Sequence, residues 1–99
     1  MVDQEHLERI RKSVSAYLMK NHYDVPTELY LDDSTRNQII DTATNIISTK
    51  WDAGYTSQGS FVQSFVNNEL LQTISYADST NIKCLSFYAM VIHNLKYVN

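Results

Sequence analysis

The side chains that could do chemistry are few and scattered. The histidines are His6, His22 and His93, and the one thiol is Cys84. Each histidine falls on a different stretch, and none has a second ligand type four residues away on one helical face. A zinc site would therefore need the fold to gather them. A single cysteine excludes an internal disulfide and a multi-cysteine zinc site. Cys84 and His93 as nucleophile and base would lie nine helical positions apart, ~13 Å along an axis. Glu69 and Asp78 as a carboxylate pair meet the same obstacle unless the chain folds back. No phosphate loop, dinucleotide fingerprint, Ser-His-Asp context or EF-hand spacing occurs. The expectation is a buried inert thiol, surface or rim histidines, no metal, no cofactor and no enzyme.

The polar residues that stand out are Asn67, Asn68, Glu69, Asp78 and Asn81. Asn67 and Asn68 are poor helix formers in the middle of a helical pattern, so something must offset their cost. One account is structural: an asparagine holds the chain turning at residues 76–80, and Asp78 caps the last helix. The other is a recognition surface for a partner. Arg9, Arg11, Lys12 and Lys20 could be read as a phosphate patch, but glutamates interleave with them, and a solvated helix face explains them as well. The net charge of −3 gives no footprint for non-specific nucleic-acid binding.

The elements that must position these residues read as helices. Two glycines and one proline in 99 residues leave few breakers. Residues 3–20 carry a stripe at Leu7, Ile10, Val14, Tyr17 and Leu18. Pro26 disfavours helix at Val25, and residues 23–32 form an extended linker or a single turn, pinned by Tyr23, Tyr30 and Leu31. Asp32-Asp33-Ser34-Thr35 is rich in capping residues. A helix over 34–52 follows, with Ile39, Ile40, Ala43, Ile46, Ile47 and Trp51 on one face and Gly54 as its stop. Ser60 is placed to cap a helix over 60–76, with Val62, Phe65, Val66, Leu70, Ile74 and Ala77 inward and Phe61 and Leu71 off the stripe. The last helix, 79–95, is apolar on two faces. One holds Ile82, Leu85, Tyr88, Ala89, Ile92 and Leu95; the other holds Cys84, Phe87 and Val91. That breadth makes it either the centre of the bundle or half of a homodimer contact.

These spacings predict an all-α fold: one domain, residues 1–99, built as a small bundle of about four helices. Residues 1–22 supply an N-terminal helix, 23–32 a linker and 33–95 the core. The polar start is unlike a signal peptide. No apolar run is long enough to span a membrane, and the lone cysteine suits a reducing cytoplasm.

Gly59, Ser60, Phe61, Val62, Ser64, Phe65, Val66, Asn68, Glu69, Leu70, Ala77, Asp78 and Asn81 also form a spaced pattern. It resembles that of small helical proteins of tailed phages and prophages that carry no assigned activity. Glu69 stands where that group has Asp, and His93-Asn94 where it has an aromatic-Asn pair. The resemblance covers residues 33–95 and leaves the first helix unmatched. It implies phage origin and a helical fold, with no mechanism attached. The expected function is a non-catalytic phage protein that binds a host or phage protein. A host-takeover or anti-defence, anti-CRISPR-like inhibitor falls in this class. A phage transcriptional regulator is the second expectation, resting on a helix–turn–helix-like corner at residues 76–82 that offers only Lys83 as a basic contact. A virion or packaging component is the third.

Overall fold

The computed structural model describes residues 4–51 and 59–95. Among these residues every regular element is helical: α1 (Gln4–Lys20), a 3-10 turn (His22–Asp24), α2 (Thr27–Leu31), α3 (Asp33–Trp51), α4 (Ser60–Val66), α5 (Leu70–Tyr76), α6 (Ser79–Lys83) and α7 (Leu85–Asn94). The all-α expectation holds. The described residues form seven α-helices rather than about four, because one expected helix splits, another bends, and the linker coils.

The beginning of the chain follows its local signals. Lys20 ends α1, where the Asn21 side chain donates from Nδ2 to the Tyr17 carbonyl at 2.9 Å. Val25 is extended at φ −121°, ψ 153°, as a residue before proline must be. The Pro26 carbonyl then accepts from Leu29 and Tyr30 and starts α2. Of the residues expected to pin this segment, Tyr23 and Leu31 are exposed. Val25 is buried instead, and Leu29 and Tyr30 rest on the core.

Asp32 caps α3. Its carboxylate Oδ2 accepts from the Thr35 hydroxyl at 2.6 Å and from the Thr35 N–H at 2.9 Å. Those two bonds, the hydroxyl first, hold the Asp32 carboxyl below the usual carboxylate range. Arg36 donates to the Tyr30 carbonyl and pairs with Asp33, tying α2 to the start of α3. Ile39, Ile40, Ala43, Ile46 and Ile47 are buried as their spacing requires, and Thr44 and Ser48 are buried with them. Helix α3 is the centre of the molecule. It packs against α1, α2, α4, α6 and α7. Ile10, Val14 and Leu18 of α1 close one side, and Arg11 pairs with Asp41 across that contact. Gly54 and the loop at residues 55–58 lie outside the described residues.

The expected helix over 60–76 is two helices. Gly59, at φ −75°, is the N-cap, and Ser60 is the first helical residue without a capping bond. The chain breaks after Val66 because Asn68 adopts the left-handed conformation at φ 61°. The inward set changes accordingly. Phe61, Val62 and Ser64 are buried in α4, with Phe65 and Val66 half-buried; Thr73 is the buried residue of α5. Leu70, Leu71 and Ile74 are exposed. The expected helix over 79–95 bends at Cys84, whose N–H is shared between the Thr80 and Asn81 carbonyls. Tyr88 still donates its N–H to the Cys84 carbonyl, so the ladder continues through the bend. Cys84, Phe87, Tyr88 and Val91 are buried; Ile82, Ala89 and Met90 face out.

Aromatic packing joins α4 to α7. The Tyr88 ring sits edge-on to Phe61 at 6.0 Å and to Phe65 at 6.2 Å. Because Phe61 is buried and Phe65 is half-buried, Phe61→Ala is expected to cost about 3–5 kcal/mol and Phe65→Ala no more than about 2 kcal/mol. Denaturant melts of the two variants give the order; equal losses would contradict this packing.

Candidate functional site

The corner between α4 and α5 is built by backbone hydrogen bonds. The Glu69 N–H donates to the Ser64 carbonyl at 2.9 Å and the Asn68 N–H to the Phe65 carbonyl at 3.2 Å. These are the two bonds of a Schellman ending, with the left-handed residue just past the helix. Asparagine is the residue after glycine that takes this conformation most readily. Asn68 is therefore explained by its φ, and the helix ends where the two asparagines made it costly. Asn67, Asn68 and Glu69 are exposed at this corner.

Asp78 and Asn81 serve the start of α6. The Asp78 carboxylate accepts from the Asn81 N–H at 2.8 Å, the capping role its sequence position suggests. Asn81 Oδ1 in turn accepts from the Tyr88 hydroxyl at 2.7 Å. The five polar residues thus divide into a helix ending and a helix start linked to the core. The Asn81–Tyr88 bond was not read from the sequence, where Tyr88 counted only as a member of the apolar face.

The thiol and the three histidines lie in different surroundings. Burial, and to a lesser degree the charge of Asp78, pushes the Cys84 thiol up to about 11. Its thiol is thus protonated at neutral pH and is no nucleophile there. His6 is buried at the start of α1, where its Nδ1 lies 3.4 Å from Arg9 Nη2. His22 stacks near Tyr30 with ring centroids 5.2 Å apart. His93 is exposed on α7. Among the described residues no group of three His, Cys, Asp or Glu is placed to hold a metal ion. Among them, too, no helix is long and apolar enough to cross a membrane. Arg9 and Lys12 share their surface with Glu5 and Glu8, the interleaved arrangement of a solvated face.

A groove of about 570 Å³ lies between α4–α5 and α7. Phe65, Val66 and Leu70 form one wall and Leu85, Ala89 and Ile92 the other. Lys50 supplies its charge and His93 an imidazole, and no Asp or Glu lines it among the described residues. Helix α5 flanks it and packs chiefly on α4. The groove was hidden in the sequence because a continuous helix over 60–76 would have turned Leu70 and Ile74 inward. The Asn67-Asn68 pair was the available signal, as a helix stop.

No family model, curated protein or solved structure matches this chain.

Two measurements follow from these sites. Asn68→Gly should leave stability within about 0.5 kcal/mol, and Asn68→Ala should cost about 1 kcal/mol; urea melts distinguish them, and a costly glycine would refute the left-handed assignment. Burial also raises the Tyr88 phenol above its ordinary value. Groups with raised pKa in the fold contribute fully below their unfolded values, 9.0 for the thiol and 10.0 for the phenol, and that contribution is lost as pH rises. The melting temperature should therefore fall above pH 9.0, and Cys84→Ala should flatten the first part of that fall.

Proposed function

We propose that this chain is a phage-encoded, non-catalytic protein that works in the host cytoplasm by binding another protein through the α5 face and its groove. The observation carrying this reading is the exposure of α5. Leu70 is 67%, Leu71 82% and Ile74 45% exposed on a helix of seven residues. Water-exposed leucines in a cluster, beside an apolar groove, are a contact surface in search of a partner. Scattered single exposures such as Met19 need no such account.

The phage origin rests on the resemblance over residues 33–95, and inhibition of a host or defence protein falls within this class of binding function. A nucleic-acid regulator is less well supported. Helix α6 is five residues long with Lys83 as its basic group, and Asp78 stands at its start.

The test uses Leu71→Asp and Ile74→Asp, two exposed positions whose change should leave the melting curve near wild type. Tagged wild type should recover a stoichiometric partner from host lysate. The purified pair should then bind in calorimetry, with each charged variant weaker by at least ~10-fold. Wild type that recovers no stoichiometric protein, or variants that bind as tightly, would overturn this reading.

A further inference from the structure

The groove and α5 form one surface. At 100° per residue, Leu70, Ile74 and Leu71 lie side by side around α5. Leu70 also lines the groove, so the exposed ridge begins at the groove's own wall. A small apolar ligand filling the groove would leave Leu71 in water. The surface extends further than such a ligand reaches, which favours a protein occupant.

Charge narrows the choice. The groove carries Lys50, and no acid lines it among the described residues. The ridge is preceded by exposed Glu69, and α5 itself, Leu70–Tyr76, holds no charged residue. The start of the ridge, at Glu69, and the groove, at Lys50, are thus opposite in sign. A two-fold dimer can use this complementarity twice, since each copy presents the same patch and residue i meets residue j reciprocally.

We propose that the groove is filled by a second copy of this chain. Helix α5 of each copy lies in the groove of the other, with Leu70, Leu71 and Ile74 against Phe65, Leu85 and Ile92. Glu69 of one copy faces Lys50 and His93 of the other. This rests on the reading of the α5 face as a contact surface and adds a regulation to it. Dimer and heterologous complex use the same face, so binding a target separates the copies.

Sedimentation velocity on the full chain, from low to high micromolar protein, tests this. Wild type should form a species of twice the 11.4 kDa mass. Leu71→Asp should be monomeric with an unchanged far-ultraviolet spectrum. Lys50→Glu and Glu69→Lys should each weaken the dimer ~10-fold, and the double exchange should restore it. A dimer indifferent to Leu71→Asp, or charge variants that are not rescued when combined, would overturn the arrangement. A wild type that stays monomeric yet captures a partner through Leu71 would overturn the dimer while leaving the binding role standing.

Discussion

Helix α3 owes its stability to burial. Four isoleucines, Ile39, Ile40, Ile46 and Ile47, carry its buried face, and Ala43, Thr44 and Ser48 widen the burial. As a free peptide the isoleucines would disfavour a helix by a few tenths of a kcal/mol each. Buried, each gains about 1.5–3 kcal/mol, which decides the balance. The other helices are arranged to supply that burial. α1 lays Ile10, Val14 and Leu18 on one side, while α4 and α7 bring Phe61, Val62, Phe87, Tyr88 and Val91 to the others. The Asp32 cap sets where α3 starts, and hence which isoleucines meet which partner.

With the apolar surface of α3 claimed by these neighbours, little is left for α5. Its buried residue is Thr73, whose hydroxyl bonds back to the Glu69 carbonyl at 2.8 Å. A helix held by so little burial belongs to the least stable part of the fold. It is attached through Asn68, where the backbone already occupies a sparsely used conformation. Tyr88 marks the other limit. It is fully buried, clasped by Phe61 and Phe65, and anchored through Asn81 to the cap of α6. The rigid and the yielding parts of the groove thus face each other, α7 on one wall and α5 on the other.

Where periodicity and a capping signal agreed, the sequence was enough. The α1 stripe, the extended Val25 before Pro26, the inward isoleucines and the Asp78 cap all follow from local rules. The errors came where two local rules competed. Spacings of three and four over Val62, Phe65, Val66, Leu70 and Ile74 suggested one helix, while Asn67-Asn68 suggested an ending. The ending won because α4 had already seated Phe61 and Val62 in the core, and a left-handed Asn68 closes a Schellman motif at small cost. The bend at Cys84 had no comparable signal. The candidate site inherited these limits: the five polar residues were seen, but their backbone duties were not, and the groove depended on the break.

That break also explains why an ordinary amphipathic pattern can yield an exposed apolar surface. In an uninterrupted helix Leu70 and Ile74 would continue the stripe of Val62 and Phe65 and face the core. A single residue at φ 61° redirects the axis, so the second half of the stripe leaves the core. The apolar residues are the same; their surroundings change from side chains to water. Exposed leucines have a cost that an isolated domain would be expected to shed, by polar replacement or by extending the helix. Keeping them makes physical sense if another surface covers them for part of the molecule's life.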